Sequence, residues 1–218
     1  MKKVKTVILS ILVASAVSFS GCNIFGSSSG SSGTEPLGGE LSPIGAVGNT
    51  FDVPAFPGST DREFEVVERQ GDISTIKGTM TFTDPGLLSL AEQIPYLEVN
   101  GNQVTGSRKF RITSKGIQSV FDDGKALTLV DYSAKKGDKY RLKRSGSDLV
   151  REVTHVSEDD DFFWGFMYIQ TIQVEETGMF TPGLSKIKYY ANHRFGPVAM
   201  DIHFEDGSSV LLSVYSDN

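Results

Sequence analysis

A single cysteine, Cys22, stands among the 218 residues of this chain. That excludes an intramolecular disulfide framework and a zinc site built from several thiolates. Histidine is scarce too, with only His155, His193 and His203. Basic residues are outnumbered, 21 Lys and Arg against 27 Asp and Glu, for a formal charge of −6. Binding to nucleic acid needs clustered Lys and Arg to displace counterions, so no nucleic-acid partner is expected. Long apolar runs are also missing. The longest, Val7–Phe19, has thirteen residues interrupted by Ser10, Ser15 and Ser18. As a helix it reaches about 20 Å, short of the ~30 Å hydrocarbon layer.

What is present begins with an address. Lys2, Lys3 and Lys5 precede the apolar stretch, which closes on small residues. Basic start, short apolar segment and small-residue end together read as a secretory signal. The segment ends Phe19-Ser20-Gly21-Cys22, which resembles the lipobox of bacterial lipoproteins, with Phe19 where Leu is usual. The resemblance implies cleavage before Cys22, a diacylglycerol on its thiol and an outer-membrane destination, since Asn23 and not Asp follows. Cleavage leaves 218 − 21 = 197 residues, and loss of three lysines takes the charge from −6 to −9. Two or three acyl chains meet the requirement for stable anchoring. The expected partner is therefore a membrane, held through lipid on Cys22, and the expected location is the periplasmic side of the outer membrane.

Residues 23 to 50 hold seven Gly and six Ser. This stretch reads as a flexible tether with an end-to-end distance of roughly 30 Å. Residues 26 to 30 fit G-x-S-x-G, but that motif marks a nucleophile only between a strand and a helix, and neither is expected there.

From residue 51 a single β domain is expected. Val198, Met200, Ile202 and Phe204 alternate with Ala199, Asp201, His203 and Glu205, the period of two that places one face on a core. Further β-rich runs are 63–70, 74–83, 109–113, 126–132, 139–143, 150–156, 166–174, 186–190 and 210–215. Asn100-Gly101, Asp123-Gly124 and Asp206-Gly207 suit tight hairpin turns. One short helix is expected at 87–93, with Asp84-Pro85 as its start and Pro95 as its stop.

The chain also echoes itself. Phe121–Ser133 aligns with Phe204–Ser216 at an offset of 83, sharing Phe, Asp, Gly, Leu, Tyr and Ser in order. Upstream elements agree in order, giving halves at 61–133 and 138–216. Neither half can bury its apolar face alone, so the two are expected to pack together. The fold expected is all-β: an antiparallel sandwich or a curved half-barrel built from two similar units. Lys136-Gly137-Asp138-Lys139-Tyr140, Tyr189-Tyr190 and Phe195-Gly196-Pro197-Val198 resemble segments of a group of uncharacterised exported bacterial β domains, with Pro197 in place of the usual Leu. The likeness covers about 131–216 and implies a fold, not an activity.

No catalytic or metal set stands out, and no cofactor is implied. Asp201, His203 and Glu205 share a strand face, which is ordinary for a solvated edge. Ser74-x-x-Lys77 and Ser133-x-x-Lys136 match S-x-x-K by letter only, since that motif needs a helix. Glu158–Asp161 is the densest charge and reads as an acidic loop that deters edge pairing. Directly after it comes Phe162–Tyr168, where rings alternate on both faces of an expected strand. Phe163, Trp164, Phe166 and Tyr168 are the candidate binding platform. The reading favoured is a non-catalytic envelope module that binds an envelope protein or polymer. The alternative is a carrier of lipid or another apolar ligand in a half-barrel, reached past Trp164 and Phe163. A hydrolase or metalloenzyme is the third, and requires a histidine near a carboxylate in a cleft.

Overall fold

The computed structural model describes residues 33–54, 57–92, 97–144, 147–178 and 183–217. The expected leader, the lipobox-like segment with Cys22, the run at 26–32 and Pro95 lie outside the described residues.

Apolar alternation and glycine turns generate a chain of antiparallel strands. In order these are β1 (Thr50–Asp52), β2 (Ser59–Gln70), β3 (Ile73–Phe82), the helix α1 (Pro85–Ala91), β4 (Glu98–Asn100), β5 (Gln103–Thr113), β6 (Gly116–Val120) and β7 (Ala126–Asp131). The second half supplies β8 (Lys139–Arg144), β9 (Ser147–Val156), β10 (Phe162–Trp164), β11 (Met167–Ile169), β12 (Ile172–Thr177), β13 (Leu184–Asn192), β14 (Gly196–Phe204), β15 (Ser209–Ser213) and β16 (Tyr215–Ser216). The fold is all-β, as the alternation predicts.

Two large sheets result. The first has eight strands in the order β16-β1-β2-β3-β5-β6-β7, with β4 paired to β5. The second has six, in the order β15-β14-β13-β12-β9-β8. The small sheet β10-β11 stands apart from both. The chain links the large sheets at both edges. It passes from β7, the edge of the first, to β8, the edge of the second, and returns from β15 to β16 through Val214. The backbone N–H of Val214 donates to Val198 O (2.9 Å), holding that second seam in place. The result is a sandwich whose sheets are joined along both sides around one core.

The predicted turns form for the expected reason. Gly101, Gly124 and Gly207 have φ of 58°, 77° and 84°, a region that only residues without a Cβ enter without strain. Asp123 and Asp206 accept the N–H two residues on, from Lys125 (3.2 Å) and Ser208 (3.0 Å). At α1, Asp84 Oδ1 accepts from Gly86 N–H (2.8 Å) with Pro85 next in line, a side-chain cap on an otherwise unpartnered donor. The aligned hairpins β6–β7 and β14–β15 sit at matching ends of their sheets. The second sheet places β12 between β9 and β13, where the first pairs β3 directly with β5.

Residues 33–50, expected to be the last part of a free tether, pack on the domain. Ile44 and Asn49 are buried, and Leu41 bridges Thr113. The anchor is Gln118, fully buried on β6. Its Nε2 donates to Glu35 O (2.7 Å) and Thr128 Oγ1 (3.1 Å), while its Oε1 accepts from Leu37 N–H (3.0 Å) and Arg111 Nη1 (2.8 Å). The segment thereby completes the pairing of a buried amide that Thr128 and Arg111 alone would leave partly unsatisfied.

Candidate functional site

Between the inner faces of the two sheets lies a cavity of about 280 Å³. Phe64, Ile76, Phe110, Ile117 and Leu129 line it from the first sheet, and Ile172, Val174, Ala191 and Met200 from the second. Alternation explains this wall: on β12, Ile172, Val174 and Glu176 are buried and the residues between them are not. Of all the lining residues only Ser107, Lys109 and Asp122 are exposed. The cavity therefore meets solvent beside β5 and the turn that follows β6.

One corner of this apolar space is charged. Arg151 on β9 and Glu176 on β12 are register partners, and both point inward. Their side chains are 3% and 1% exposed. Arg151 Nε donates to Glu176 Oε2. Its Nη1 donates to Leu127 O (2.9 Å) and its Nη2 to Ser119 Oγ (3.1 Å), both on the opposite sheet. The guanidinium thus ties the sheets together while lining the cavity. Tyr189 on β13 completes the corner: its hydroxyl donates to Glu176 Oε1 across a long 3.4 Å. Burial, followed by the adjacent Glu176 charge, pushes the Tyr189 phenol well above its ordinary range, so it stays a neutral donor.

This corner was not singled out by the sequence reading, but a signal for it exists. Leu149-x-Arg151-x-Val153 and Ile172-x-Val174-x-Glu176 each place one charge at an inward step of an apolar alternation, and the two charges are opposite. A pair of such intrusions marks a buried ion pair.

The candidate platform at 162–168 has a different geometry from the expected strand. Gly165, with φ of 61°, turns the chain into a hairpin, pairing Phe163 with Tyr168 and Trp164 with Met167. Phe162 stacks on Tyr190 with ring centres 4.8 Å apart. Trp164 packs between Phe195 (4.8 Å) and Tyr215 (5.2 Å), and its indole N–H donates to Val214 O (3.0 Å). Phe163 and Tyr168 lie on the outer side, 5.3 Å apart, and Phe166 at the turn is fully exposed. None of Phe163, Trp164, Phe166 and Tyr168 lines the cavity, although Tyr190 and Val214 beneath the hairpin do.

No protein-family model, curated protein or solved structure matches this chain. What the site can do must be argued from its own groups.

The histidines make short contacts of limited chemical use. His155 Nε2 lies 3.0 Å from Asp161 Oδ2 and 3.4 Å from Ser157 Oγ. The hydroxyl of Ser157 donates to Asp161 Oδ1 (2.6 Å) and accepts from Thr171 N–H (3.0 Å). A triad needs one imidazole nitrogen on the carboxylate and the other on the nucleophile. Here the same nitrogen faces both, and the serine is spent on the carboxylate. The cluster instead fastens the acidic loop 158–161 to the start of β12. The Ser157 hydrogen bond, more than His155, holds the Asp161 carboxyl below its usual range. His203 Nε2 is 2.9 Å from Asp201 Oδ2 but without hydrogen-bond geometry. Among the described residues no three His, Cys, Asp or Glu side chains are grouped to hold a metal ion. Ser74 and Lys77 sit on β3, where the Ser74 hydroxyl donates to Gly45 O (2.7 Å).

Proposed function

We propose that this chain is a lipid-anchored, non-catalytic protein of the bacterial outer membrane, facing the periplasm, whose β domain binds and carries a small apolar ligand between its sheets. The observation that supports this best is the largely apolar inter-sheet cavity, with one buried polar corner at Arg151, Glu176 and Tyr189 and further polar groups at Ser107, Arg108, Lys109 and Asp122. Ligand sites combine an apolar lining with a few fixed polar groups, as here. The lipobox Phe19–Cys22 supports the location, and a domain held near a bilayer is well placed to exchange apolar molecules with it.

The test is mass spectrometry of small molecules extracted from the purified Cys22→Ser chain. A stoichiometric apolar compound is expected. Ala191 is buried and lines the cavity. Ala191→Phe fills that space with a ring, so it should remove the compound while the circular-dichroism spectrum stays unchanged. Equal recovery from both chains, or none from either, contradicts the carrier reading.

A second reading, contact with an envelope partner, draws on the exposed rings of Phe163, Phe166 and Tyr168. The two readings separate at Phe166→Ser, which leaves a carrier loaded and weakens a docking surface.

A further inference from the structure

We infer that the Arg151–Glu176–Tyr189 corner selects an uncharged, hydrogen-bonding head group on a single short apolar chain. This rests on the carrier reading and names the class of ligand.

Size sets the first limit. A cavity of about 150 Å³ accommodates benzene, so one of about 280 Å³ takes roughly ten to twelve non-hydrogen atoms. That admits one chain of about ten atoms between the sheets and leaves no room there for a second acyl chain.

Charge sets the second. Arg151 and Glu176 neutralise one another in contact, and both are buried. A carboxylate or phosphate entering this corner would leave an uncompensated negative charge, and an amine a positive one, at heavy desolvation cost. A neutral head adds no charge.

Hydrogen-bond capacity sets the third. A guanidinium has five N–H donors, and Arg151 uses one each from Nε, Nη1 and Nη2. One N–H therefore remains on each terminal nitrogen. Glu176 Oε1 receives only the long 3.4 Å contact from Tyr189. A head group that both donates and accepts, such as an alcohol or a primary amide, matches the acceptor on Glu176 and the donors on Arg151 at once. An alkane satisfies neither.

The full chain carrying Cys22→Ser, purified without detergent and stripped of bound compounds, is titrated calorimetrically with benzene, 1-decanol and decanoate at pH 7. Benzene and 1-decanol should both bind, and 1-decanol at least tenfold more tightly than decanoate. Glu176→Gln keeps the shape but leaves the Arg151 charge uncompensated, so the preference should invert in favour of decanoate. A double replacement, Arg151→Met with Glu176→Leu, removes both charges together, a change often tolerated for buried ion pairs; because it also releases Leu127 O and Ser119 Oγ, its circular-dichroism spectrum and thermal unfolding are recorded first to establish that it is folded. It should bind benzene as before and 1-decanol at least fivefold more weakly. If benzene and 1-decanol bind but decanoate binds equally well, or if Glu176→Gln leaves the preference unchanged, the head-group assignment fails and the carrier reading stands. If neither benzene nor 1-decanol binds, both fail.

Discussion

Single side chains with no apolar character hold much of this domain together. Gln118 is the clearest case. Its amide meets five partners, three of them backbone groups of the N-terminal segment (Gly33, Glu35 and Leu37) and the others Thr128 and Arg111. Gln118→Ala leaves those buried groups unpaired, at about 1–3 kcal/mol for the loss. Urea unfolding should register that drop, and amide exchange of residues 35–41 should accelerate more than that of β13 and β14. Unchanged exchange in the segment would mean that Ile44 and Leu41 hold it without the amide. Arg151 works on the same principle across the sheets, since its guanidinium reaches Leu127 O and Ser119 on the opposite layer. None of these roles is visible in composition. Gln118 falls between the expected β runs 109–113 and 126–132, and two of its partners are 81 and 83 residues away. Arg151 and Glu176 leave a fainter trace, because each breaks an inward apolar alternation.

Elements were legible in proportion to how local their causes are. The turns at Gly101, Gly124 and Gly207, the cap at Asp84 and the alternation of β14 each depend on a few adjacent residues, and each forms as expected. Two elements depended on distant contacts and came out differently. Residues 33–50 average as Gly-rich tether, yet Ile44 is buried, the backbone of 35–37 pairs with Gln118 on β6, Leu41 bridges Thr113 on β5 and Gly33 O accepts from Thr128 on β7. The aromatic run at 162–168 has strand composition, but Gly165 folds it into a hairpin whose inner rings rest on Tyr190, Phe195 and Tyr215. The two sides of that hairpin should respond oppositely. Trp164→Ala removes two ring contacts and a hydrogen bond at a half-buried position and should lower stability by about 2 kcal/mol, below the ~3–5 kcal/mol of fully buried aromatics. Phe166→Ser, at a fully exposed position, should change stability by less than about 0.5 kcal/mol. Thermal unfolding of both variants checks the pair; comparable losses would mean that Phe166 packs on the domain.

At the level of the whole molecule, two sheets joined by the chain at β7–β8 and β15–β16 enclose one core. Because the seams are covalent on both sides, the sheets can hold a gap between them without either edge drifting. The cavity follows from that closure together with Arg151, which reaches from the second sheet to Leu127 O and Ser119 Oγ of the first. Its existence was not readable from the linear pattern, since it depends on how far apart two apolar faces are held. The proposed membrane attachment is a separate matter, assigned to the N-terminus. Replacing Cys22 with Ser should move the protein into the soluble periplasmic fraction while the β-rich circular-dichroism spectrum is retained. Persistence in the membrane fraction would contradict lipid anchoring and leave the domain unaffected.

The apolar space between the sheets is itself open to a direct physical measurement. Xenon enters dry apolar cavities of this size and no others in a well-packed core. Under xenon pressure, a crystal of the domain should show a xenon atom between Phe110, Ile117 and Val174, with that site lost in Ala191→Phe. An unoccupied inter-sheet space in the parent protein, with the two faces in direct contact, would contradict the account.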